Sequence, residues 1–109
     1  MQPDKLQPLI EKLWHSFKLP IMVTESGVAD KNDVYRKWWI EESAKSLSRA
    51  MKNGVKMVGY IHWSLLDNFE WAEGFWPRFG LIEVNYKTQQ RKVREPAKWY
   101  ARFINSQQK

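Results

Sequence analysis

The chain has 109 residues, a formal net charge of +6, 43% hydrophobic residues and no cysteine. Without cysteine it can form neither a disulfide framework nor a thiolate metal site, and its apolar stretches fall far short of the roughly 20 residues that span a membrane. Lys and Arg are dispersed among Asp and Glu rather than gathered in runs, so the charge does not favour a nucleic-acid partner.

The first predicted element is an amphipathic helix over residues 4–17. Its apolar residues recur at helical spacing and form one stripe: Leu6, Leu9, Ile10, Leu13, Trp14 and Phe17. Pro20 ends it, because the residue before a proline is pushed towards extended geometry. The apolar run 21–24 then predicts a strand covered on both faces.

A strand–helix–strand unit is predicted for residues 21–63. After a polar loop at 25–33, a helix begins near Val34 and ends at Asn53-Gly54, where glycine suits a left-handed cap. A second strand follows at 57–63. Two strands joined by a helix lie parallel in a sheet.

The rest of the chain contains a long aromatic and acidic loop at 64–78. A short strand is predicted at 81–86 with a turn near Lys87, and Pro96 suits the first turn of a last helix. With no linker and no internal repeat, residues 1–109 form one piece of one domain.

Glu25 is the candidate catalytic residue. It follows a buried strand and precedes Ser26-Gly27, and a carboxylate at the end of a parallel strand is placed as a glycosidase nucleophile would be. The alternative from position alone is a glutamate that caps a turn in a surface loop.

The segment from His62 to Trp71 has the composition of a sugar pocket. Indole rings cover the C–H faces of a pyranose, and Asn or Glu bind its hydroxyl groups. From pattern alone Trp63 is as well explained by core packing. We expect His62 to be structural, and Asp67 and Asn68 to shape the loop through backbone hydrogen bonds.

Together these segments resemble the C-terminal part of family 1 glycoside hydrolases, the β-glucosidases and β-galactosidases. Ile-Met-Val-Thr-Glu-Ser-Gly at 21–27 is similar to the family's nucleophile strand, usually Thr-Glu-Asn-Gly, although Ser26 replaces the Asn. Residues 59–71, followed by Ala-Glu-Gly-Phe at 72–75 and Arg-Phe-Gly-Leu at 78–81, resemble its last strand and sugar-binding loop.

The resemblance implies an α/β fold, the C-terminal part of a TIM (β/α)8 barrel: helix 6, strand 7, helix 7, strand 8 and helix 8. A whole barrel needs about 250 residues. It also implies the site residues: Glu25 as nucleophile, with Trp63, Glu70, Trp71 and Phe79 binding substrate. Such enzymes need no metal or cofactor, and the two histidines show no ligand spacing.

The function implied is retaining hydrolysis of β-D-glucosides or β-D-galactosides through a covalent glycosyl-enzyme on Glu25. The family's acid/base glutamate lies in an Asn-Glu-Pro motif, and no Asn-Glu pair occurs here. We therefore expect the chain to be inactive without the rest of the barrel. The alternative is a non-catalytic carbohydrate-binding or remnant module.

The expected partners are a β-glycoside or oligosaccharide and either the remaining barrel segments or a second copy of the chain. Open strand edges and apolar faces would otherwise promote association. We expect neither a nucleic acid nor a membrane as partner. The first residues lack the basic-then-apolar layout of a signal peptide, which indicates a cytoplasmic location.

Overall fold

The computed structural model describes residues 1–107. Short 3-10 turns lie at Pro3–Lys5 and Trp71–Glu73. The helices and strands are, in chain order, α1 (Leu6–Phe17), β1 (Ile21–Ser26), α2 (Arg36–Lys52), β2 (Met57–His62), β3 (Ile82–Val84), β4 (Arg91–Val93) and α3 (Glu95–Gln107).

The parallel strand pair is the centre of the fold. β1 and β2 run side by side, with Ile21 opposite Met57 and Ser26 opposite His62. The helix α2 makes the connection between them, as parallel pairing requires. The predicted strand–helix–strand unit is therefore confirmed, and both strands end at the same edge of the sheet.

The hydrophobic core lies between this sheet and the helices α1 and α2. Ile10, Ala50 and Val55 are buried at its centre, and partly buried apolar residues pack around them: Leu6, Trp14, Ile21, Val23, Leu47 and Met57. The opposite face of the sheet is open, because Met22 is 46% exposed and Ile61 49% exposed. The prediction that the first strand is covered on both faces is wrong for this chain.

The helices α1 and α2 begin two residues later than predicted, and α1 ends at residue 17 as predicted. The helix α1 ends at Phe17 because Lys18 adopts a left-handed conformation, and Lys18 N–H donates to the Trp14 carbonyl. The helix α2 begins at Arg36, two residues later than predicted. The Asp30 carboxylate accepts the N–H groups of Tyr35 and Arg36 there, and so satisfies donors that the helix itself leaves free.

Three further departures concern strands. Glu25 and Ser26 lie within β1 rather than in a turn after it. The predicted strand at 81–86 is the shorter β3, which pairs antiparallel with β4. β4 was missed because Arg91-Lys92-Val93 is exposed and has no apolar alternation to indicate a strand. Across residues 1–107, no helix is both long and apolar enough to cross a membrane.

Candidate active site

Glu25 and Trp63 lie at the same edge of the sheet. Glu25 is the penultimate residue of β1 and is exposed, while Trp63 directly follows β2 and is 36% exposed. The Trp63 N–H donates to the Ser26 carbonyl over 2.9 Å. The carboxyl ends of two neighbouring parallel strands thus place a carboxylate and an indole at the same edge of the sheet.

The backbone around Trp63 also fixes the position of Phe79. The peptide bond between Trp63 and Ser64 is cis. The Ser64 N–H donates to the Phe79 carbonyl over 3.3 Å, and the Leu81 N–H donates to the Ser64 carbonyl over 2.8 Å. Phe79 is half-buried beside this junction. Backbone hydrogen bonds therefore connect the segments that carry three of the predicted site residues, Glu25, Trp63 and Phe79.

Glu70 and Trp71 lie in a tight turn of their own within the loop between β2 and β3. The Glu70 N–H donates to the Gly74 carbonyl over 2.7 Å, and the Gly74 N–H donates to the Trp71 carbonyl over 3.1 Å. Trp71 adopts a left-handed φ of 48°, which is rare for a bulky residue, and is 82% exposed. The backbone bonds that hold this turn are internal to it, unlike those that join Glu25, Trp63 and Phe79.

Asp67 anchors the base of the same loop. Its buried carboxylate accepts the Gly80 N–H over 2.9 Å and the Val84 N–H over 3.3 Å. It also pairs with the guanidinium groups of Arg94 at 3.1 Å and Arg78 at 3.3 Å. The Asn68 amide donates to the Leu66 carbonyl. The prediction that Asp67 and Asn68 shape this loop through backbone hydrogen bonds is confirmed.

Arg36 is the residue near the site that sequence reasoning missed. Its side chain is fully buried, although it is charged and lies at the start of a helix. Its guanidinium donates to the carboxylate of Asp33 and to four backbone carbonyls, those of Val28, Asp30, Arg78 and Phe79. No periodic pattern marks such a residue, because four of its five partners are backbone carbonyls and two of those are more than 40 residues away in sequence.

The Arg36 charge also affects two neighbouring groups. Burial alone would raise the pKa of Asp30, but hydrogen bonds from the N–H groups of Tyr35, Arg36 and Val34, with the Arg36 charge, lower the pKa on balance. Burial lowers the pKa of His62 to about 4, and the Arg36 charge contributes. Both groups are thereby held in one protonation state near neutral pH, Asp30 ionised and His62 neutral.

His62 faces the outer helices rather than the candidate site. It is buried edge-on to Tyr100 of α3, with ring centroids 6.3 Å apart. That placement agrees with a structural role, but neither ring nitrogen has a hydrogen-bond partner among the described residues. Over residues 1–107 there is also no cluster of three or more His, Cys, Asp or Glu side chains placed to hold a metal ion.

Parallel strands joined by a helix, with polar and aromatic side chains at their carboxyl ends, are typical of α/β-barrel proteins, whose sites lie at that end of the strands. The family model "Glycosyl hydrolase family 1" matches residues 1–109. The chain belongs to glycosyl hydrolase family 1.

Relatives and solved structures agree with this assignment. The chain is 38% identical over 104 residues to a β-galactosidase of Sulfolobus acidocaldarius, covering 95% of this chain and 21% of that protein. It is 47% identical over 81 residues to a β-galactosidase of Pyrococcus woesei, covering 74% and 16%. The crystal structure of a hyperthermophilic β-glucosidase from Pyrococcus furiosus superposes with a TM-score of 0.93 at 39% identity, covering 95% and 22%.

The chain therefore spans about a fifth of the length of these relatives. Its fold is part of an α/β barrel, and the relatives that it matches are named β-galactosidases and β-glucosidases.

Proposed function

We propose that the chain is the C-terminal part of a retaining β-glycosidase, in which Glu25 is the nucleophile. In this proposal α1, β1, α2, β2 and α3 are helix 6, strand 7, helix 7, strand 8 and helix 8 of the barrel. The observation that carries the proposal is the exposed Glu25 carboxylate at the carboxyl end of β1, with Trp63 joined to the next residue by a backbone hydrogen bond.

The proposed chemistry is a double displacement. The ionised Glu25 carboxylate attacks the anomeric carbon as the glycosidic bond breaks, and the leaving oxygen takes a proton from a second carboxylic acid. Water, deprotonated by that second group, then displaces Glu25 from the glycosyl-enzyme. Each displacement inverts the anomeric carbon, so the β configuration is retained overall.

The substrate contacts divide between the two parts of the site. Trp63 would stack on the sugar ring and Phe79 would wall the side that carries the 6-hydroxymethyl group, since both lie beside the strand ends. Glu70, in the exposed turn, would accept hydrogen bonds from two hydroxyl groups, with Trp71 beside it. The proposed substrates are β-D-glucosides and β-D-galactosides, which agrees with the names of the relatives.

The second carboxylic acid is proposed to come from the rest of the barrel. In the retaining geometry it lies about 5–5.5 Å from the nucleophile. We therefore expect residues 1–109 alone not to hydrolyse an unactivated glycoside, even where the glycone contacts form.

The proposal is tested with 2-deoxy-2-fluoroglucosyl labelling, using a leaving group that departs without acid catalysis. Two proteins are labelled: the chain itself, and a chimaera in which it replaces the matching segment of the Pyrococcus furiosus β-glucosidase. We expect an active chimaera that gains one fluoroglucosyl group on the peptide containing Glu25. Glu25→Gln should abolish both activity and labelling.

A matched control is Glu41→Gln, which removes a carboxylate that pairs with Lys45 on the outer helix. It should leave both readouts unchanged. Labelling of another carboxylate, or a fully active Glu25→Gln chimaera, would refute the nucleophile assignment. A chain that binds β-glucosides while the chimaera stays inactive and unlabelled would instead favour a non-catalytic carbohydrate-binding module.

A further inference from the structure

We propose that Arg36 is a positioning residue that holds Phe79 of the candidate glycone site in register with the segment after Glu25. The inference rests on the proposed function, because it assigns Phe79 to the sugar site. It adds a residue that contacts no substrate itself and acts through two backbone segments.

The Arg36 guanidinium uses all five of its N–H donors. The Nε–H donates to the Asp33 carboxylate at 2.8 Å, Nη1 donates to the carbonyls of Val28 at 3.2 Å and Phe79 at 2.8 Å, and Nη2 donates to those of Asp30 and Arg78. Only arginine offers this planar arrangement of donors, since the lysine ammonium has three and no fork. We call this set of contacts the Arg36 clamp.

The clamp joins two segments that are distant in sequence, and its bonds to Arg78 and Phe79 lie 42 and 43 residues from Arg36. One segment, 28–30, continues directly from the end of β1 and Glu25. The other segment, 78–79, lies at the C-terminal end of the candidate sugar-binding loop. A backbone bond between Asp30 N–H and the Arg78 carbonyl, at 2.9 Å, closes the same junction.

The Phe79 carbonyl is fixed from two sides. Arg36 donates to it from α2, and the Ser64 N–H donates to it from the segment after Trp63. Because the Trp63 N–H in turn donates to Ser26, a continuous chain of bonds joins the segments of Glu25, Trp63 and Phe79. Without the guanidinium, the Phe79 carbonyl keeps only the longer bond to Ser64.

The burial of Arg36 makes the clamp stiff. The side chain is 0% exposed, so water cannot replace a lost donor, and the ion pair with Asp33 compensates its charge. Arg94 also pairs with Asp33, and its second pairing, with Asp67, reaches the base of the sugar-binding loop. Both ends of that loop are therefore tied to residues that follow β1.

The test is native-state hydrogen exchange of the 109-residue chain, compared with Arg36→Lys and Arg36→Met. Lysine keeps the charge but cannot serve five acceptors. We expect the N–H groups of Asp30 and Ser64 to exchange at least about tenfold faster in Arg36→Lys, while amides in the β1–β2 pair change far less. Arg49→Lys is the matched control, because Arg49 is exposed on the same helix and bonds to Gln7.

Two outcomes overturn the proposal. Unchanged exchange at Asp30 and Ser64 in Arg36→Lys would mean that the clamp holds nothing, and equal acceleration at all amides would mean a general stabilising role. If Arg36→Met does not fold, Arg36→Lys and Asp33→Asn still give this comparison.

A second readout links the clamp to the sugar site. The chain is labelled with the fluoroglucosyl reagent at several concentrations, which separates reagent binding from the rate of the covalent step. We expect Arg36→Lys to weaken binding more than it slows the covalent step, because Glu25 is left in place. If the wild-type chain is not labelled, the sugar site does not assemble in the chain alone. The hydrogen-exchange comparison then tests the positioning role of Arg36 independently of labelling.

Discussion

Gly27 lies where β1 and β2 come too close for a side chain. A Cβ atom at this position would be 1.8 Å from the Trp63 carbonyl oxygen, which is backbone and cannot move aside cheaply. At Gly59 a Cβ would meet only the flexible end of Met22, at 3.2 Å. Glycine is therefore required at position 27, because the segments that carry Glu25 and Trp63 approach each other closely there.

His62 gives a pH dependence to stability. It is buried, its ordinary pKa is 6.5, and burial lowers the pKa in the folded chain to about 4. Above pH 6.5 neither state is protonated and the full stability is present. As the pH falls from 6.5 to 4 the unfolded chain binds a proton that the folded chain does not. Stability therefore falls, by on the order of 3 kcal/mol.

We expect urea titrations at pH 7 and pH 4.5 to show this loss for the wild-type chain. His62→Phe should remove most of it, since the aromatic contact with Tyr100 is kept and the titrating group is gone. His15→Phe, at an exposed position of α1, should leave the loss unchanged. An identical pH dependence in wild type and His62→Phe would contradict the assignment.

At the scale of elements, the loop between β2 and β3 is built on buried charge. Asp67 is 4% exposed and Arg94 is 5% exposed, so the pair is shielded from water. Burying such a pair adds little net stability compared with an apolar pair, but removing one member leaves an uncompensated charge. The loop owes its fixed shape to a carboxylate that satisfies two backbone N–H groups and two guanidinium groups at once.

Asp67→Asn is expected to lower the free energy of unfolding by about 1–3 kcal/mol, because the buried Arg94 keeps only its pairing with Asp33 and donors around position 67 lose an acceptor. The measurement is urea unfolding followed by tryptophan fluorescence. Glu83→Gln, an exposed carboxylate on β3, is the matched control and should change the value by less than about 0.5 kcal/mol. The double variant Asp67→Asn/Arg94→Met should recover part of the loss. A single variant as stable as wild type would show that the pair does not anchor the loop.

At the scale of the whole molecule, one face of the β1–β2 sheet is open. Met22 and Ile61 lie opposite the helix-covered face and are about half exposed. Among residues 1–107 this sheet consists of β1 and β2, so each strand also has a free edge. Exposed apolar surface next to free strand edges favours association with other chains.

We therefore expect the isolated chain to self-associate, with a weight-average mass that rises with concentration in sedimentation velocity. Met22→Lys/Ile61→Lys should shift the distribution towards monomer, because it places charge on the open face. Val34→Lys, at an exposed apolar residue in the loop before α2, should not. A wild-type chain that stays monomeric and unfolds in one sharp thermal transition would refute this expectation.

Much of the fold follows from local patterns. The periodicity of residues 4–17 and 34–52 indicates helices, and the two apolar runs that flank the second helix indicate parallel strands. The resemblance to family 1 glycoside hydrolases indicates Glu25, Trp63 and Phe79 as site residues, whereas strand-end position alone leaves Glu25 and Trp63 with structural alternatives. The weak hairpin strand β4 was missed, since its residues are polar and its pairing alone defines it.

The sequence by itself indicated the main helices, the parallel strand pair and the family, because each depends on residues that are neighbours along the chain. Only the tertiary structure decided which segments are joined. Arg36 bonds to backbone carbonyls as many as 43 residues away, and Asp67 bonds to amides and guanidinium groups from four later positions. Backbone atoms are the same at every residue, so a sequence pattern cannot indicate which of them a buried side chain will bind.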